Sequence, residues 1–127
     1  MGLKSGAPIT EAELRIMRIL WARGSATVND IVAGIKKPKL ARNTVLTTLG
    51  VIERKGFASH IVQGRTFVYR PEVAQEDVRV RALDDVVARF FDSSPSQLVL
   101  RLLDSKRMTD VEADSIRALL DARKDER

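Results

Sequence analysis

The residues of this chain best suited to chemistry lie between Leu40 and Pro71. Arg42, Asn43, Thr44, Thr47 and Thr48 fall on the side of a helix left free by the apolar stripe Val45, Leu49 and Ile52. Guanidinium, amide and hydroxyl groups at that spacing suit phosphate oxygens and base edges, and a threonine methyl suits the thymine methyl. Lys55 closes the helix, and Arg65 sits at the tip of Gln63-Gly64-Arg65, a turn between two strand-like runs. A helix slim enough for the major groove, followed by a basic loop that reaches the neighbouring backbone, is the working part of a winged helix-turn-helix. Catalysis finds no support. There is no Ser/His/Asp set, no Gly-rich phosphate loop ahead of a helix and no metal-spaced ligand cluster. The expectation is a DNA-binding protein, not an enzyme, with no cofactor and no metal site.

The elements that must hold these residues are legible from capping chemistry. Thr10 with Glu13, Ser94 with Gln97 and Thr109 with Glu112 fit the capping box, and Thr27 with Asp30 is a shorter-armed variant. The first helix is expected over Glu11–Ala22, with Leu14, Met17, Leu20 and Trp21 inward and Gly24 at its end. A short second helix spans Val28–Ile35, with Lys36 and Lys37 at its C-terminal dipole and Pro38 beyond. The third covers Arg42–Lys55 and ends at Gly56, a left-handed cap position. Ala41 is a poor N-cap, costing about 0.5–2 kcal/mol relative to Ser or Asp. Gly50 inside the helix costs about 1 kcal/mol relative to Ala. Strands follow at Phe57–Val62 and Thr66–Arg70.

Beyond Pro71 the pattern is wholly helical, with helices expected over Val73–Phe91, from Ser94-Pro95 onward, and over Asp110–Arg123. The fold class is therefore mainly α with a small β-wing. Residues 1–72 form a winged-helix DNA-binding domain, and residues 73–127 form a three-helix dimerisation domain. A segment that small buries too little surface to close a core alone. Leu83, Val87, Phe90, Phe91, Leu98, Leu102, Leu103 and Leu119 are expected to pack against a second copy.

Charge follows the same division. The net charge is +5. Residues 1–72 carry 12 Lys/Arg against 5 Asp/Glu, and residues 73–127 carry 10 against 12. The basic half can neutralise phosphates; the other has no such excess. There are no cysteines, so disulfides and thiolate metal sites are excluded. No apolar run approaches the roughly 18 residues that span a bilayer, and Met1 to Pro8 lacks the apolar core of a secretory signal. A cytoplasmic protein with no membrane partner is expected.

Other conspicuous residues have plainer readings. Trp21 is expected as a core anchor, and His60, the single histidine, as a solvated residue of the wing. Arg81, Asp84, Asp85 and Arg89 fit a solvated helix face with i,i+4 pairing. Lys36, Lys37 and Lys39 fit either surface charge or phosphate contact. Two further classes of binding protein are compatible with the pattern. One is a winged-helix module for a protein partner, which the segregated charge disfavours; the other is a ligand-sensing winged-helix regulator.

The run from Leu40 to Leu49 ending in Arg54-Lys55-Gly56, together with Gly64 to Pro71, resembles the recognition helix and wing of the penicillinase-repressor (BlaI/MecI) family. Thr10 to Leu14 with Met17 and Leu20-Trp21 resembles its first helix. Phe90 to Pro95 with Leu98 and Leu119-Leu120 resembles its dimerisation helices. The resemblance covers about Ile9 to Ala122. It implies a transcriptional repressor acting as a homodimer on an inverted-repeat operator. Arg42, Asn43, Thr44 and Thr47 would face bases or phosphates, and Arg65 would meet backbone near the minor groove. The partners implied are palindromic double-stranded DNA, a second copy, and an inducer protease or small-molecule effector. Val51-Ile52 replaces the usual Arg-Leu pair. The bond cleaved on induction in the penicillinase branch aligns with Arg101-Leu102, a different residue pair in this chain. The cysteines of the copper-responsive branch are absent.

Overall fold

A computed structural model describes residues 8–125. Its order is α1 (Glu11–Arg23), β1 (Ala26–Thr27), α2 (Val28–Gly34), α3 (Arg42–Lys55), β2 (Ala58–Gln63), β3 (Thr66–Pro71), α4 (Gln75–Phe90), α5 (Pro95–Asp104) and α6 (Asp110–Asp125). Capping starts the helices where the hydroxyl residues stand. Thr10 Oγ1 accepts from the Glu13 N–H at 3.3 Å while Glu13 Oε1 accepts from the Thr10 N–H at 3.1 Å. Thr27 and Asp30 repeat the exchange at 3.1 and 3.0 Å, and Thr109 and Glu112 at 3.1 and 2.9 Å. Ser94 Oγ accepts from the Gln97 N–H at 3.3 Å, with Pro95 in the first turn of α5. Gly56, at φ 84°, turns the chain out of α3 in the left-handed region that a side chain disfavours.

The wing is one strand larger than expected. β2 and β3 form an antiparallel hairpin with His60 opposite Tyr69 and Gln63 opposite Thr66. β1 adds to the far edge of β3, pairing Ala26 with Tyr69 and Thr27 with Val68, so the sheet order is β1-β3-β2. A strand of two residues has no alternation to detect, so the sequence pattern carries no sign of it. Phe57 is not in the hairpin; it is buried between α3 and β2, and its carbonyl accepts from the Glu72 N–H at 2.8 Å.

The N-terminal core is built from Ile16, Met17 and Leu20 of α1, Ile31 of α2, Val45, Leu49 and Ile52 of α3, and Phe57. Burying these side chains stabilises the domain by about 1.5–3 kcal/mol each before entropy is counted. Val73 and Val78 join this core, and Trp21 Nε1 donates to the Val73 carbonyl at 2.9 Å. Trp21 is thus a half-buried anchor that ties α1 to the chain leaving the sheet. The molecule divides into compact units ending at Ala82 and starting at Leu83. The N-terminal unit reaches past residue 72 because Val73 and Val78 are its own core residues.

The C-terminal unit has a different character. No residue of α5 or α6 is buried. Phe90 is 68% exposed, Leu119 70% and Leu103 48%, and Leu83 and Leu102 are exposed as well. Val87, Phe91 and Leu98 are half-buried. On the polar side of α4, Arg89 pairs with Asp85 at 3.3 Å, the expected i,i+4 spacing. Among the described residues, no helix is long and apolar enough to cross a membrane.

Candidate nucleic-acid interface

Helix α3 buries Val45, Leu49 and Ile52 and turns Arg42, Asn43, Thr44 and Thr47 to solvent. Its N-terminus has no side-chain cap at Ala41. The first amides of a helix lack partners within it and carry the positive end of its dipole, so this uncapped end can accept an anionic oxygen. Arg42 stands at that end, and its guanidinium donates to Asn29 Oδ1, which aims it across the start of α2. Helix α3 carries no carboxylate of its own in its first two turns: its one acid, Glu53, lies near the far end and faces the wing.

Thr48 is oriented differently from its neighbours. Its hydroxyl donates to the Thr44 carbonyl at 2.7 Å, so the proton is committed to the helix and only acceptor capacity remains. The side chains of Asn43, Thr44 and Thr47 make no such commitment among the described residues, and they remain the free polar groups of the face.

Lys55 is not brought together with the others. Its ammonium lies 2.9 and 3.1 Å from the two carboxylate oxygens of Glu13 and 3.0 Å from the Pro8 carbonyl. Glu13 is 4% exposed. One carboxylate therefore caps α1 and anchors the end of α3, and the lysine is committed to that joint.

The wing supplies the opposite wall. Arg65 is exposed at the hairpin tip beside Gly64, whose φ of 63° makes the tight turn. Between α3, the start of α2 and the wing lies an open cleft of about 330 Å³, lined by Asn29, Arg42, Leu46, Arg65, Thr66 and Phe67 among others. Guanidinium groups stand over an apolar floor. That combination accepts a sugar–phosphate strand, with charge for the phosphate and carbon surface for the sugar.

His60 corrects an expectation. It is half-buried rather than solvated, with Nδ1 2.9 and 2.8 Å from the Glu53 carboxylate oxygens. Its ring stacks on Phe67 at 4.5 Å between centroids and tilts against Tyr69 at 5.1 Å. The contact clamps the wing to the C-terminal half of α3 and so fixes the cleft. Burial, and then the charge of Glu53, push the Tyr69 phenol up from its ordinary value. At the start of α2, the Thr27 backbone N–H holds the Asp30 carboxyl below its usual range, and Arg23 lies 3.2 Å away.

Asn29 and Leu46 line this cleft without having been singled out in the sequence. Leu46 is 41% exposed on α3, and its position one turn after Arg42 was the available signal. Asn29 could not be found from spacing, because its role depends on how α2 packs against α3. Among the described residues, no group of acidic or histidine side chains is arranged to hold a metal ion.

The chain is similar to known proteins over most of its length. The family model described as penicillinase repressor matches residues 9–122. The chain is 25% identical over 123 residues to the penicillinase repressor of Bacillus licheniformis, covering 96% of each chain. It is 23% identical over 113 residues to the methicillin resistance regulatory protein MecI of Staphylococcus aureus, covering 88% of this chain and 92% of that one. Among solved structures, the DNA-binding domain of the repressor BlaI superposes with a TM-score of 0.50 at 31% identity, covering 54% of this chain and 85% of that chain.

Proposed function

The chain belongs to the penicillinase repressor family, and from that premise we propose that it is a transcriptional repressor that binds an inverted-repeat operator as a homodimer in the cytoplasm. One observation carries the DNA reading: α3 presents Arg42, Asn43, Thr44 and Thr47 on a carboxylate-free face, across a cleft from Arg65. In the bound state α3 enters the major groove. Asn43 and Thr47 meet base edges, while the uncapped amides of α3, Thr44 and Arg42 meet phosphates. Arg65 holds the backbone beside the adjacent minor groove. Thr48 accepts rather than donates, and Lys55 keeps α3 anchored to α1 instead of contacting DNA.

Pairing of two chains is supported by the C-terminal unit, where Leu83, Phe90, Leu102, Leu103 and Leu119 lie exposed. Such a surface is costly in water and is covered by a second copy, together with Val87, Phe91 and Leu98. Two-fold symmetry then sets the half-sites about 10 base pairs apart, or a multiple of that. Repression follows from occupancy of the promoter, and release requires an effector or an inducing protease.

Arg42→Ala, Thr47→Ala and Arg65→Ala test the surface, measured against a duplex selected by the wild-type chain from random DNA. Each is expected to weaken binding while leaving the melting temperature unchanged. Thr47→Ala relaxes base preference, by about 1–3 kcal/mol of discrimination. Arg65→Ala weakens all duplexes alike and makes the salt dependence shallower by about 0.9 for each phosphate that is no longer neutralised. Wild-type affinity in all three variants would reject the assigned surface.

A further inference from the structure

Gly50 stands in the interior of α3, where glycine is less favourable than alanine, yet the helix runs through it unbroken. Among the described residues, nothing excludes a side chain at this position. A Cβ built there meets only the flexible end of Arg54, with Nη1 at 3.7 Å, an ordinary contact. The other described glycines have internal reasons. Gly24, Gly56 and Gly64 have positive φ, and a Cβ on Gly34 would strike Ile19 Cδ1 at 2.9 Å, against α1.

Its place on the helix supplies an external reason. Gly50 follows Thr47 by three residues, follows Asn43 by seven and precedes Arg54 by four, so it lies on their side of the helix, half-buried beside the Arg54 side chain and turned away from Val45 and Ile52. The candidate base-reading groups on that face are short. Asn and Thr place their polar atoms two or three bonds from Cα, whereas Arg and Lys reach much farther. A helix that reads bases with short side chains must lie deep in the groove.

Resting on the DNA reading proposed above, we infer that Gly50 is the close-approach point of α3. Its bare backbone packs against the DNA, and this depth lets Asn43 and Thr47 reach base edges. Gly50 is thus a positioning residue for sequence discrimination. A methyl group there holds the helix outward, and the short side chains are pulled off the bases before the longer phosphate-binding ones let go.

The test compares wild type, Gly50→Ala, Arg54→Ala and the double variant. Thermal unfolding is measured alongside affinity for two duplexes: the one wild type selects from random DNA, and a scrambled duplex of equal composition. Gly50→Ala is expected to raise the melting temperature by roughly 4 °C. It should weaken the selected duplex at least tenfold and the scrambled one less than twofold, and do so equally in the Arg54→Ala background. Unchanged discrimination would overturn the inference, because the glycine then faces nothing. A lowered melting temperature would also overturn it, by showing that the fold itself requires Gly50. If the loss vanishes in the Arg54→Ala background, the methyl acts by displacing Arg54, and close approach is again rejected. If wild type itself selects no duplex, the DNA reading fails; if wild type selects and Gly50→Ala discriminates equally well, only the role of Gly50 fails.

Discussion

Replacing Lys55 by methionine separates a structural role from a DNA contact. The change keeps most of the side-chain volume and removes the ammonium that faces Glu13 at 2.9 and 3.1 Å. Glu13 is 4% exposed, so its carboxylate is left in a poorly hydrated place where, among the described residues, the Thr10 N–H at 3.1 Å is its remaining donor. Breaking a buried ion pair from one side costs about 3–5 kcal/mol. The lysine side chain retains 18% exposure, and the Thr10 bond survives, so about 2–3 kcal/mol is expected here. With a urea slope of about 1.5–2 kcal/mol per M, the unfolding midpoint should fall by about 1–2 M. Protomer concentration must be held fixed, since dissociation of the proposed dimer would add to the measured stability. Adding Glu13→Gln to Lys55→Met should recover at least half of the loss, because the buried charge is then gone. The salt dependence of DNA binding should match wild type. An unchanged urea midpoint combined with a shallower salt dependence would refute this reasoning and return Lys55 to the DNA surface.

Other perturbations reach the rest of the molecule. If the chain pairs as proposed, Phe90→Asp or Leu102→Asp should yield a monomer in sedimentation while the circular dichroism of the N-terminal unit is retained; a wild-type sedimentation profile would reject the proposed pairing face. Acid should loosen the helix starts. Asp30 and Glu112 accept cap N–H groups from Thr27 and Thr109, which lowers both carboxyls below their ordinary values of 3.8 and 4.5. A carboxyl lowered on folding contributes stability above its unfolded value, and that contribution is lost as pH falls through the folded value. The urea midpoint should therefore drop as pH is taken below about 4.5, and Asp30→Asn with Glu112→Gln should make that drop smaller. His60→Ala, which removes the ring between Glu53 and Phe67, should raise hydrogen exchange in β2 and β3 without unfolding α1.

The fold was legible wherever local chemistry decides it. Thr10, Thr27, Ser94 and Thr109 each open a helix because a hydroxyl at that position satisfies an amide of the first turn. Val45, Leu49 and Ile52 are buried because their spacing leaves them on one side. What sequence reasoning missed depends on contacts between distant residues. β1 is defined only by its pairing with Tyr69 and Val68. Lys55 resembles a free basic residue at a helix end until Glu13, far away in the chain, is folded against it. His60 resembles a wing residue in water until Glu53 and Phe67 close on it. The face of α3 was readable from helical spacing. Which of its groups remain free was not, because the commitments of Thr48, Lys55 and Arg42 are made to a backbone carbonyl, a buried acid and a neighbouring helix.

Selection of bound duplexes from random DNA by the wild-type chain is the most direct test of operator binding by a symmetric pair. The expected result is enrichment of an inverted repeat whose half-sites lie about 10 base pairs, or a multiple of that, from centre to centre. Thr47→Ala, put through the same selection, should enrich a repeat with relaxed preference at one position in each half. Recovery of unenriched random sequence by the wild-type chain, or of a single asymmetric site bound by one chain, would contradict operator binding by such a pair.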